Sequence, residues 1–131
     1  METRIVTTGI LRDNDLFLII KRNEDDELFP GAWEFPGGHL EEKETLKECL
    51  KRELQEEIDF VLETDPIITH YYDKVKEKDG KLVHHLEIDF IINVDRNKIN
   101  IKLSDEHSDY KWVTKDSPLL DDFIKSKLSN I

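Results

Sequence analysis

Apolar residues fall into short runs separated by polar or Gly/Pro-containing breaks, and the periodicity changes from run to run. Thr3–Arg12 and Leu16–Arg22 are rich in β-branched and large apolar residues, with the turn-forming Asp13-Asn14-Asp15 between them, which predicts a β-hairpin. Asn23–Ala32 is a polar stretch containing Pro30-Gly31 and predicts a loop. Trp33–Phe35 predicts a short strand, closed by a turn at Pro36-Gly37-Gly38. Glu44–Ile58 lacks Gly and Pro and is full of strong helix formers, so it predicts a helix. Phe60–Glu63 predicts a short strand ahead of Pro66. Ile67–Lys76 and Lys81–Val94 flank Asp79-Gly80, a second hairpin signal, and Tyr110–Thr114 predicts a last strand. Asp116-Ser117-Pro118 has the chemistry of a helix start, and Asp121–Ser129 completes a terminal helix. Strands before, between and after two helices predict one mixed α/β domain over residues 1–131.

The Glu44–Ile58 helix carries an unusual pattern. At about 100° per residue with Leu46 at zero, Cys49, Leu50 and Leu54 form one apolar stripe. On the same wheel Glu53 falls at about 340°, Glu56 at about 280° and Glu57 at about 20°, on the side that should face the protein body. Acidic helix residues ordinarily form a solvated face. Three carboxylates turned inward need compensating positive charge, because burying them unpaired is very costly. Arg52 lies off to the side, at about 240°. A hard divalent cation suits oxygen donors better, and no Cys/His cluster points to zinc.

Composition narrows the partners. Thirty acidic against 19 basic residues give a formal charge of −11, which disfavours long-range attraction to nucleic acid. No apolar run is long enough for a membrane span, and the N-terminus lacks a signal peptide's apolar stretch. The lone Cys49 cannot form an internal disulfide, which suits a reducing, cytoplasmic setting. The expected partner is a small molecule, with no nucleic acid and no membrane, and the chain is expected as a monomer or homodimer.

Taken together, these residues resemble the box of the Nudix hydrolase family, and of its MutT-like members in particular. Gly38 is followed after five residues by Glu44, and seven more lead to Arg52-Glu53-Leu54-Gln55-Glu56-Glu57-Ile58-Asp59-Phe60. Trp33-Glu34-Phe35-Pro36-Gly37-Gly38 is similar to the family's entry into the box. Two positions depart from it: Asp59 stands where the family has a helix-capping glycine, and Lys43 where a glycine is frequent. Aspartate tolerates the left-handed conformation of such a cap better than most residues. The resemblance implies an α/β/α sandwich with a central mixed sheet and two main helices.

It also implies roles. Glu53, Glu56 and Glu57 would hold Mg²⁺, with Mn²⁺ able to substitute, and the Gly37 carbonyl would add a ligand. Gly38, Glu44 and Arg52 would be structural, with Arg52 orienting the acids. A further acid is expected ahead of a late Trp-bearing strand. Glu106 in Ser104–Trp112 is the choice for an additional ligand or base, with Asp105 and His107 as rivals. Glu53 or Glu106 would take a proton from the attacking water, and Glu57 would share in catalysis. The implied reaction converts a nucleoside triphosphate, with oxidised or non-standard nucleotides among the candidates, to monophosphate and pyrophosphate. Hydrolysis of ADP-ribose or a nucleotide sugar is the alternative within enzymes, and a catalytically silent ligand-sensing domain is the alternative outside them. Arg22 at the end of the second strand is a candidate phosphate contact. Glu87 and Asp89 alternate with Leu86, Ile88 and Phe90, so they share the opposite face of a strand and are candidates for base recognition. Asp121 is a further candidate for the same task.

Overall fold

The computed structural model describes residues Met1–Ile131. In chain order the elements are β1 (Glu2–Asp13), β2 (Leu16–Arg22), β3 (Trp33–Glu34), β4 (Gly37–His39), α1 (Leu46–Ile58), β5 (Ile67–Lys78), β6 (Lys81–Asn93), a 3₁₀ turn (Arg96–Lys98), β7 (His107–Val113) and α2 (Asp122–Ser126). The strands make one mixed sheet in the order β3-β2-β1-β6-β5, with β4 paired to β1 and β7 to β2. β1 and β6 are parallel from Glu2↔Val83 to Arg12↔Asn93, and the other pairings are antiparallel. Both expected hairpins form, the second turning at Asp79-Gly80 with positive φ at both residues.

The two helices cover opposite faces of the sheet. On one face, Leu50, Leu54 and Ile58 of α1 join Leu11, Leu18, Ile20, Phe90 and Ile92 in a buried core. Full burial of each such side chain contributes roughly 1.5–3 kcal/mol. On the other face, Ile124 of α2 and Leu128 pack with Ile10, Phe17, Ile19 and Phe35. Period-two alternation along β1 separates the two sets: Gly9 lies under Leu50 and Leu54, while Ile10 points to the α2 side. No helix is long and apolar enough to cross a membrane.

Several boundaries differ from the sequence expectation. α1 begins at Leu46 rather than Glu44, because Thr45 caps it: its side chain accepts from Glu48 N–H while Glu48 reaches back to Thr45 N–H. Gly37 and Gly38 are not a free turn. They pair with Thr8 and Thr7 as part of β4. Phe60–Glu63 forms no strand; Leu62 is drawn into the α1 core instead. The last strand starts earlier, at His107. Residues 116–120 make turns, and the final helix starts at Asp122, capped by Asp121, whose side chain accepts from Ile124 N–H.

Both glycine departures sit where a left-handed backbone is needed. Asp59 ends α1 at φ 55° and ψ 36°, and its N–H bonds to Gln55 O while Phe60 N–H reaches Leu54 O. Lys43 has φ 65°. The C-terminal carbonyls of α1 are then tied to the segment ahead of β7, through Lys102 N–H to Ile58 O and Ser104 N–H to Glu57 O. That tie brings β7 to the acidic end of the helix.

Candidate active site

Glu53 and Glu57 leave α1 toward β4 and are largely buried, with side chains 14% and 12% exposed. Glu57 Oε1 accepts from Gly37 N–H at 2.7 Å. Glu53 lies against Gly38, where an added Cβ would meet its carboxylate at 2.3–2.5 Å. A Cβ on Gly37 would come within 2.0 Å of Thr7 O. Glycine at 38 therefore lets the β4 backbone lie directly beneath Glu53, and glycine at 37 lets β4 close against β1. Glu56 departs from the wheel: its side chain is 57% exposed. At about 80° from Leu46 on the wheel it sits at the rim of the stripe, not inside.

Arg52 organises the acids. Its Nε and Nη2 hold Glu44 in a bidentate pair at 2.7 and 2.9 Å, and Nη1 reaches Glu53 Oε1 at 2.8 Å and Glu56 at 3.5 Å. Nη2 also donates to His39 O at 3.0 Å. The guanidinium beside it holds the Glu44 carboxyl down to about 2, aided by Glu41 N–H. Charge compensation stops there. Burial pushes Glu53 upward against the pull of Arg52, and it pushes Glu57 up to about 7 despite the Gly37 N–H and the nearby His107.

His107 is the residue that sequence reasoning undervalues. The sequence ranks it as a rival to Glu106, yet it is His107 that turns inward, with a side chain 1% exposed. Its Nε2 lies 3.0 Å from Glu34 Oε1 and 3.7 Å from Glu57 Oε2. Glu34 in turn lies 2.9 Å from Arg22 Nε, and Arg22 Nη1 donates to Asp26 at 2.9 Å. Burial works against the Arg22 charge, but Glu34 and Asp26 outweigh it and raise its pKa. Glu106 is exposed; its backbone is fixed by Asn23 N–H and Ser104 Oγ, and its carboxylate is free. The only signal for His107 is the alternation of a strand that begins earlier than Tyr110.

The other expected residues lie apart. Glu87 and Asp89 sit on the α2 side of the sheet, bound to Lys127. Asp121 caps α2. A surface groove of about 800 Å³ is lined by Arg12–Leu16 and Asn93–Asn97 at the β1–β2 turn, with none of the α1 acids in it. The buried acids beside the glycine backbone, not this open polar groove, have the chemistry of a catalytic centre.

The family assignment comes from the whole chain. The NUDIX domain family model matches residues 2–129. The chain belongs to the Nudix family. It is 30% identical over 121 residues to the nucleoside triphosphatase NudI of Enterobacter sp. (strain 638), covering 89% of this chain and 86% of that protein. It is 28% identical over 117 residues to NudI of Escherichia coli O139:H28, covering 86% and 83%. The MutT protein from Methanosarcina mazei superposes with a TM-score of 0.73 at 26% identity, covering 96% of this chain and 90% of that one. A MutT Nudix hydrolase from Burkholderia pseudomallei has the same fold at 20% identity, with a TM-score of 0.79 and coverage of 100% and 99%. This chain is a MutT-like Nudix hydrolase, an enzyme class that acts on phosphorus-containing anhydrides, and its α/β sandwich is the Nudix fold.

Nudix hydrolases use divalent metals, and the donor set here fits one. As they stand, no three Asp, Glu, His or Cys side chains converge on a single point. Yet Glu53 and Glu57 are two buried oxygen donors whose charge is under-compensated, with Glu56 at the rim. Hard-cation chemistry matches that deficit.

Proposed function

We propose that this protein hydrolyses a nucleoside triphosphate to the monophosphate and pyrophosphate with Mg²⁺, which Mn²⁺ can replace. The observation that carries this reading is the pair of buried carboxylates, Glu53 and Glu57, set against the Gly37-Gly38 backbone in a Nudix hydrolase. The NudI relatives, which are nucleoside triphosphatases, support the substrate class.

Glu53, Glu56, Glu57 and the Gly37 carbonyl would hold the ions, with Glu106 as a further donor. Bound there, divalent ions neutralise phosphate charge and lower the pKa of an attacking water. Glu53 or Glu106 accepts the proton from that water. The new P–O bond forms at one phosphorus as the bridging P–O bond breaks, and the departing group is pyrophosphate. Arg52 fixes Glu53 and Glu44 so that the acids do not have to be ordered during reaction. Arg22 is tied to Asp26 through Nη1 and to Glu34 through Nε, which steadies Glu34 and leaves Nη2 as the phosphate contact. Glu87 and Asp89, on the α2 side of the sheet, would recognise the base, with Asp121 at the start of α2 beside them.

The test is pyrophosphate release from a panel of nucleotides and nucleotide conjugates, with Mg²⁺ and with a chelator. Turnover of triphosphates that stops on chelation is expected. Turnover of only ADP-ribose or nucleotide sugars would overturn the substrate class, and no turnover at all would overturn the activity. Replacing Glu53 and Glu106 separately by Gln identifies the proton acceptor as the one whose loss flattens the acidic limb of the pH–rate profile.

A further inference from the structure

A second buried charge cluster lies on the sheet face opposite α1. Lys127, at the end of α2, has a side chain only 3% exposed and donates to Glu87 Oε2 at 2.8 Å and Asp89 Oδ1 at 2.9 Å. Asp89 is 1% exposed, and its Oδ2 lies 3.1 Å from His70 Nδ1. Both Asp89 oxygens are thus engaged and shielded. Glu87 is different. Its side chain is 29% exposed, and only Oε2 is held by Lys127, which leaves Oε1 without a protein partner.

A buried ammonium is a costly way to stabilise a fold, since apolar packing of similar volume often does as well or better. What Lys127 does supply is orientation. It fixes one oxygen of Glu87, so the other presents a single acceptor in a set direction. An aromatic edge flanks that acceptor. Phe123, 41% exposed, lies 5.0 Å from Lys127 Nζ and meets Tyr72 edge-on at 5.3 Å, and Tyr72 is the cross-strand partner of Glu87.

The sheet register links this cluster to Gly37, whose N–H is held by Glu57 from the α1 side. Gly37, Thr8, Asp89 and His70 are successive cross-strand partners, and so are His39, Val6, Glu87 and Tyr72 in the next row on the same face. Gly37 and β6 are two strand spacings apart, roughly 10 Å. That is the reach of a nucleoside between its phosphates and its base.

We propose that Lys127 is a specificity-positioning residue: it holds Glu87 so that the free oxygen accepts a hydrogen bond from the exocyclic amino group of a nucleobase. The site then favours amino-bearing bases over their keto counterparts, which present an acceptor to an acceptor. This inference rests on the triphosphate reading above.

The test compares kcat/KM for CTP against UTP and for ATP against ITP, pairs that differ in one amino or keto group. Wild type should favour the amino member of each pair by about tenfold, mostly through KM. Glu87→Gln should reverse the preference, because its amide oxygen stays on Lys127 and its NH₂ turns to the base. Lys127→Met combined with Asp89→Asn, which leaves no bare buried carboxylate at Asp89, should bring the ratios within about twofold of unity. Lys127→Arg should retain part of the preference. Equal use of both members by wild type would overturn the inference while leaving triphosphate hydrolysis intact. So would a folded double variant that keeps the ratios, or one that lowers all four nucleotides alike, as a merely structural lysine would. If circular dichroism shows the double variant unfolded, Glu87→Gln decides alone, and an unchanged ranking overturns the inference. No turnover of any nucleotide by wild type would overturn the triphosphate reading and this inference with it.

Discussion

The two faces of the sheet each hold a pair of carboxylates, and they treat them in opposite ways. Behind α2, Asp89 and Glu87 share the ammonium of Lys127, and His70 takes the remaining Asp89 oxygen. Each of these carboxylates has the ammonium within hydrogen-bond distance. Behind α1, Arg52 is divided among Glu44, Glu53 and Glu56, and Glu57 has only one backbone N–H and an imidazole 3.7 Å away. There the chain is short of positive charge. A buried acid with its counter-ion built in orders its neighbours. A buried acid without one is a demand for an external cation.

The largest effect should come from the under-compensated face. Glu57→Gln is expected to cut kcat about a thousandfold, about 4 kcal/mol, while the metal-free protein becomes no less stable. Steady-state kinetics beside denaturant unfolding would check this, and a variant that unfolds while its residual folded fraction stays fully active would erase the contrast. The balanced face should respond in the reverse sense. Lys127→Met alone is expected to destabilise by about 4 kcal/mol, because Asp89 is left charged and buried. Restoring neutrality with Asp89→Asn should recover much of that loss in the same unfolding assay.

The pH dependence of the metal-free protein sharpens the comparison further. Unfolded, Glu57 ionises near its ordinary 4.5; folded, near 7. Between those values the unfolded chain has already released a proton that the folded chain retains, so rising pH favours unfolding. The loss from pH 4.5 to above 7 is about 3 kcal/mol for a shift of this size, and added Mg²⁺ should remove it. Urea unfolding across that range, with and without chelator, measures it; a stability that climbs with pH would show that Glu57 is compensated after all. The smallest effect concerns the frame around the site. Lys43→Gly should stabilise by about 1 kcal/mol by relieving a positive φ, whereas Asp59→Gly should gain less because it forfeits the bond from Gln55 Nε2 to Asp59 Oδ1. Thermal unfolding of the two variants ranks them.

Much of this was legible in the chain itself. The apolar stripe of α1, both hairpins and the spacing from Gly38 to Glu57 are local patterns, and local periodicity survives folding. The inward turn of Glu53 and Glu57 followed from the same wheel. Glu56 did not, because a residue at the rim of a stripe is buried or exposed according to how closely the next element approaches, and here β4 passes on the other side. His107 was less legible than Glu106, since nothing local said that β7 would start early enough to point it at Glu57.

By itself, then, the sequence determined the family, the α/β sandwich, and the identity of the acids that crowd one helix. Only the tertiary structure decided how those charges are met: Lys127 reaches Asp89 across 38 positions of sequence, and His107 reaches Glu34 across 73. The physical reason is that hydrophobic periodicity is written within one element, whereas electrostatic compensation is written between elements brought together by sheet register.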